Sequence, residues 1–276
     1  QQRRKMKFAI NQATTMKTDF ETDIKAYSNA GFKAIEIWLP KLKQFMTGGK
    51  SLNQIKNMLD ENGLVPAGAC YQAGLMFPQG RTKEEVMKEF SENLEICRNL
   101  SIPTLIVPAD SVSPAEESHY QQAVNNLFEA AITAEKFGVN LAIEFLARSR
   151  FVGCLSTAVL LARKIKHKNA GVLFDTFHFY CGISKIEDIE AVKGDEIFLV
   201  HLNDVAEKPR EILTDRFRVL PGKGIIPLET IIRKLQKAGY NGYYSLELFN
   251  EELWSHDPFS AAKECFESLE KLGRNL

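Results

Sequence analysis

The sequence predicts an α/β fold, a single (β/α)8 barrel, and three observations carry that expectation. Short apolar runs alternate with longer segments of helical period. There are eight such pairs in 276 residues, about one per 35. The turn after the first run, Asn11-Gln12-Ala13-Thr14-Thr15, lacks the glycine-rich phosphate loop of a doubly wound sheet. Strands separated by helices pair in parallel, and eight units are the number that closes a barrel. One domain over residues 1–276 is expected, because no linker, low-complexity tract or shift of composition divides the chain.

The first strand is Phe8-Ala9-Ile10, followed by a helix opened by Asp19, with Phe20, Ile24 and Tyr27 on one face and Gly31 at its end. Ala34 to Trp38 is the second strand, and its helix begins at Ser51 with Leu52, Ile55 and Leu59 in a stripe. Val65 to Cys70 is the third, before a helix from Lys83 to Asn99. Thr104 to Val107 is the fourth, before a helix carrying Ala123, Leu127, Ala130 and Ala134 and closed by Gly138. The fifth strand is Asn140 to Phe145, with a helix over Thr157 to Ile165. Gly171 to Asp175 is the sixth, with a short helix near Ile186 to Val192. Ile197 to His201 and Tyr243 to Leu248 are the seventh and eighth, followed by helices over Leu228 to Ala238 and from Asp257-Pro258 to Leu272. That last start pairs an N-cap aspartate with a proline in the first turn.

Composition narrows the class. Lysine plus arginine and aspartate plus glutamate are 35 each, so zero net charge gives no footprint for nucleic acid or an anionic membrane. Five widely spaced cysteines without a C-x-x-C pair read as reduced packing residues. No apolar run reaches the roughly eighteen residues of a membrane span. The start, Gln1 to Met6, carries no apolar secretory core. The expected compartment is therefore the cytoplasm, or the periplasm if a leader was removed before Gln1. One chain leaves homo-oligomerisation open.

Active sites of such barrels lie at the carboxyl ends of the strands, so polar residues closing apolar strands are the ones to question. Four stand out: Glu144 in AIEF, Asp175 in VLFDTFH, His201 in FLVHLND and Glu247 in YSLELF. Strands five to eight give one each. Three carboxylates and an imidazole converging in an apolar barrel mouth are costly without a cation. One divalent metal ion resolves the cost, and this donor set suits manganese, cobalt, zinc or magnesium alike.

The blocks AIEF, FDTFH, VHLND, LPGKGIIPLETII and ELFNEELW resemble the xylose isomerase-like TIM-barrel superfamily of sugar isomerases and epimerases. The similarity covers almost the whole chain and leans towards its inosose isomerase-type members. It implies a metal held by Glu144, Asp175, His201 and Glu247, with Glu144 and Glu247 also exchanging protons through a metal-stabilised enediolate. It further implies that His178 contacts substrate oxygens. Arg218 is a candidate for substrate or for a bridge to a carboxylate, with Arg210 its competitor. Trp38 and Glu36, ending the second strand, are candidate substrate contacts, Trp38 as an apolar wall for a sugar ring.

Other classes fit less well. A dehydratase of a dehydroshikimate- or inosose-like compound would use the same metal and first proton abstraction. The apurinic endonucleases of the superfamily need further histidines, and strands two and three end in Glu36-Ile37-Trp38 and Ala69-Cys70. A non-catalytic binding barrel would be favoured by loss of a ligand, and all four are present. Lys223, in Pro221-Gly222-Lys223-Gly224, reads as a turn rather than a phosphate loop. The expected partner is a small sugar or cyclitol.

Overall fold

The computed structural model describes residues 6–276; residues 1–5, most of the chain start discussed above, lie outside the described part. Eight parallel strands close a barrel. In chain order the first seven are β1 (Lys7–Asn11), β2 (Ala34–Trp38), β3 (Val65–Cys70), β4 (Thr104–Pro108), β5 (Asn140–Glu144), β6 (Ala170–Asp175) and β7 (Ile197–Leu202). A short antiparallel ribbon follows, β8 (Asp204–Val205) with β9 (Arg218–Val219). The last barrel strand, β10 (Tyr243–Leu246), pairs with both β7 and β1 and completes the ring.

Helices wrap the outside: α1 (Phe20–Ala30), α2 (Leu39–Thr47), α3 (Leu52–Glu61), α4 (Lys83–Asn99), α5 (Glu117–Glu135), α6 (Leu155–Ile165), α7 (Thr176–Cys181), α8 (Leu228–Lys237) and α9 (Pro258–Arg274). Their ends are where the sequence puts them. Asp19 accepts from the Thr22 amide, Ser51 and Thr82 form capping boxes with Gln54 and Glu85, and Asp257 caps α9. Gly31 closes α1 at φ +107°, where a Cβ would stand 2.9 Å from the Phe266 ring.

Three features depart from the expected scheme. Helix α2 fills the stretch between Trp38 and Ser51; its Pro40 lies in the first turn, where no amide bond is lost, and its buried face includes Lys41. Helix α7 is a single aromatic-rich turn and a half, too short to show a period, started by Asp175 as its cap. The connection near Ile186 is a 3-10 segment, Ile186–Ala191, not an α-helix.

Lys41 is buried, and its ammonium meets Asp23 at 2.7 Å and the carbonyls of Gln12 and Thr15. Asp23 also accepts from Gln12 and Thr15, and the Gln12 side-chain oxygen accepts from the Trp38 amide. Burial pushes the Asp23 carboxyl up to about 7 against the pull of Lys41. One buried network thus ties the β1 and β2 ends of the barrel mouth together.

Strand period places the site. Along each strand alternate residues face the lumen. Ala9, Ala34, Ala142, Leu173 and Leu199 fill the barrel interior with Ala67 and Ile106. Two residues further on, the same faces carry Asn11, Glu36, Glu144, Asp175 and His201. The polar ring therefore sits directly above an apolar plug of alanine, leucine and isoleucine side chains.

Candidate metal centre

His201 is fully buried, and its Nδ1 faces three carboxylates: Glu247 at 3.1 Å, Glu144 at 3.5 Å and Asp175 at 3.7 Å. One donor atom from each of the four residues lies within 4.8 Å of the others. This Nδ1 has no hydrogen-bond partner, which is costly for a buried polar atom. Donor separations of this size are what ligand bonds of about 2.0–2.2 Å to one ion span. The donor set and the orphaned nitrogen both fit a divalent cation.

Each ligand is aimed by its surroundings. Asp175 spends Oδ1 on the amides of Phe177 and His178 and on the Asn203 side chain, leaving Oδ2 towards the centre. Glu247 accepts from Asn11 on Oε1 at 3.2 Å and from Arg218 on Oε2 at 3.0 Å. Glu144 differs from both, since among the described residues no guanidinium or amide donates to its carboxylate; like Glu247 it lines the cavity.

Charge follows the same geometry. Burial alone would neutralise every group, yet the Arg218 guanidinium holds Asp175 well below the usual carboxylate range. Burial wins at Glu247, whose carboxyl is pushed up against the pull of His201 and Arg218. The carboxylates of Glu247 and Glu36 overcome desolvation at His201 and hold its imidazole well above the usual value.

Glu36 is placed differently from the sequence expectation. It does not line the cavity; it lies fully buried behind His201 and meets Nε2 at 2.9 and 3.1 Å, with Ser245 donating to it at 2.6 Å. The reason is strand parity, which turns Glu36 into the narrow lumen opposite β7. A carboxylate on Nε2 fixes the proton there and leaves Nδ1 free for metal. Cys70 forms a second grouping with Glu36 and His201, but Nε2 in it is already engaged by Glu36. Glu36→Gln is expected to weaken zinc affinity by about 10–100-fold with the fold intact. Competition with a chromophoric chelator measures this, and unchanged affinity would remove the role.

Arg218 is 1% exposed and bridges Asp175 (2.8 Å) and Glu247 (3.0 Å). Its own fork is held by Asp215, at 3.0 Å from Nε and 2.6 Å from Nη2, and its plane lies over Phe177 at 4.6 Å. Arg210 is exposed and stacks on Tyr180 at 4.3 Å, bridging no carboxylate of the centre. The His178 ring lies between two donors, the Ala147 amide at 3.3 Å from Nδ1 and Arg218 Nη2 at 3.4 Å from Nε2, at one corner of the cavity. Trp38 is on the opposite wall.

Sequence reasoning passed over Asn11, Asp215, Asn203 and Ser245. Asn11 was within reach, being a polar residue that closes an apolar strand; Asp215 opens a short 3-10 turn and Asn203 follows β7 in a connection, and neither carries such a signal. The Gly222–Gly224 turn is organised around a carboxylate of the chain itself. Its amides, with that of Ile226, donate to the Asp204 carboxylate, and a Cβ at Gly224 would stand 2.2 Å from the Val205 carbonyl. Among the described residues no helix is long and apolar enough to cross a membrane, and all five cysteines are free.

Comparison with known proteins gives the centre its setting. The inosose isomerase of Halalkalibacterium halodurans is 30% identical over 94% of this chain and 93% of its own. That of Bacillus velezensis is 29% identical over 96% and 97%. The crystal structure of the IolI protein with a bound zinc atom superposes with a TM-score of 0.90, at 26% identity, over 98% of this chain and 99% of that one. The profile of the xylose isomerase-like TIM barrel matches residues 24–272. With its closed barrel and near full-length match, the chain belongs to the xylose isomerase-like TIM-barrel family.

Proposed function

We infer that the protein is a divalent-metal-dependent isomerase or epimerase that moves a proton beside the carbonyl of a keto-sugar or inosose. One observation carries this: a buried imidazole nitrogen without a partner, facing three carboxylates at the mouth of a barrel. The inosose isomerase relatives supply the substrate class, and the zinc of the IolI structure supplies the first metal to try.

Glu144, Asp175, His201 and Glu247 would hold the ion. A divalent cation in that position polarises a carbonyl and steadies negative charge on its oxygen. Glu144 and Glu247 both line the cavity and flank the reacting carbons. Glu144, with no guanidinium on its carboxylate, takes the proton; Glu247 returns one to the neighbouring carbon or the opposite face. His178, on the cavity wall, orients substrate oxygens. Arg218 favours the charged forms of Asp175 and Glu247 against their burial, and Trp38 stands on the cavity's aromatic wall.

Elemental analysis of the purified protein should find about one equivalent of a divalent transition metal per chain, as a single four-donor site requires. The metal should be lost in Glu247→Ala. Solvent deuterium should then enter inososes or keto-sugars without loss of water. A protein that takes up no zinc, manganese or cobalt would end this reading, and loss of water from the product would replace it with the dehydratase one.

A further inference from the structure

The cavity is larger than one reacting ring requires, and one of its walls is aromatic. Its volume is about 510 Å³, within the range of roughly 300–1,000 Å³ that encloses drug-sized molecules rather than a bare cyclitol. The candidate ligands come from β5, β6, β7 and the end of β10, so the ion sits towards one side of the mouth. Across from it, Trp38 of β2 meets Tyr71, just beyond β3, at 5.5 Å between ring centroids and 62° between planes. Phe249 meets the other edge of Trp38 at 6.0 Å and 71°. Pro108 and Cys70 continue this wall.

Tyr71 is 42% exposed, a large ring held at the rim with its edge to another ring. The wall offers ring faces and edges with few hydrogen-bonding atoms. A second polyol could lay only its C–H face on it and would leave its hydroxyls without partners there. A planar apolar group gains buried area and offset or edge-to-face contacts.

We propose that the natural substrate carries an aryl substituent beyond its reacting ring. The keto-sugar or cyclitol ring lies at the carboxylate and His201 end, and the aryl group lies against Trp38, Tyr71 and Phe249. This rests on the isomerase reading of the same cavity.

Tryptophan fluorescence titrations of the zinc-loaded protein test it, using methyl β-D-glucopyranoside, phenyl β-D-glucopyranoside and cellobiose as probes. Phenyl glucoside should bind at least about tenfold more tightly than methyl glucoside, equivalent to about 1.4 kcal/mol. Tyr71→Ala should bring the phenyl-to-methyl affinity ratio close to one, and Tyr71→Phe, which keeps the ring, should preserve it. Equal affinity for phenyl and methyl glucosides overturns the proposal, as does tighter binding of cellobiose than of phenyl glucoside. Deuterium exchange into unsubstituted inososes separates the two readings. Exchange without a phenyl preference sinks the aryl site alone, and a phenyl preference without exchange sinks the isomerase alone.

Discussion

Glu247→Gln should lower solvent-deuterium exchange into an inosose by about 10²–10⁴-fold, the usual contribution of a positioned acid–base group. The substitution keeps the side chain's shape, but its one remaining oxygen can accept from only one of Asn11 and Arg218. It removes the charge that faces His201 and the group proposed to return the proton. Glu144→Gln should fall by a similar factor, because the two carboxylates serve successive steps of one transfer. The double variant should then lose little more than either single one, since residues that act as a unit are not additive. Measuring bound zinc in each variant separates lost chemistry from lost metal. Near-normal exchange in Glu247→Gln with zinc in place would remove Glu247 from the proton path.

Lys41→Ala is expected to cost about 3–5 kcal/mol of folding stability, the penalty for leaving a buried charge without its partner. The ammonium is the cation that meets Asp23, and it also satisfies two carbonyls of the segment after β1. Without it the carboxylate keeps the Gln12 and Thr15 hydrogen bonds but loses its counter-charge. Replacing both partners, Asp23→Leu with Lys41→Met, should cost less than Lys41→Ala alone, because no unpaired charge then remains. Urea unfolding monitored by circular dichroism gives both numbers. A loss below about 1 kcal/mol in Lys41→Ala, the level of an exposed pair, would show that the network does not hold this part of the barrel mouth. Because Gln12 also accepts from the Trp38 amide, weakened binding of ring-bearing ligands should accompany the loss.

Much of the site was legible before any coordinates. A residue two positions beyond an inward-facing alanine or leucine must face the lumen as well, because side chains alternate along a strand. Glu144 after Ala142, Asp175 after Leu173 and His201 after Leu199 obey that rule, and Asn11 after Ala9 obeys it too. The rule does not say what a lumen residue will touch. Glu36 after Ala34 obeys it and was expected at the substrate, yet it lies behind His201, out of the cavity. The cause is the width of the lumen. Above the apolar plug, Glu36 and His201, 165 residues apart in sequence, reach each other across the lumen.

Arg218 shows the other limit. Its position in the chain left open a substrate contact, a bridge to a carboxylate or an exposed ion pair, and the structure makes it the bridge, sealed between Asp175 and Glu247. It arrives there because Asp204 gathers the amides of Gly222, Gly224 and Ile226 and folds the β8–β9 ribbon over the barrel mouth. No local pattern encodes that path.

The sequence by itself determined the barrel, the helix caps and the four residues that converge, because strand and helix periods and capping chemistry act over a few neighbouring residues. The tertiary structure alone decided which imidazole nitrogen faces the carboxylates, what stands behind it, how Arg218 enters and how far the cavity extends. Those depend on contacts between strands and loops far apart in the chain, which exist only once the barrel has closed.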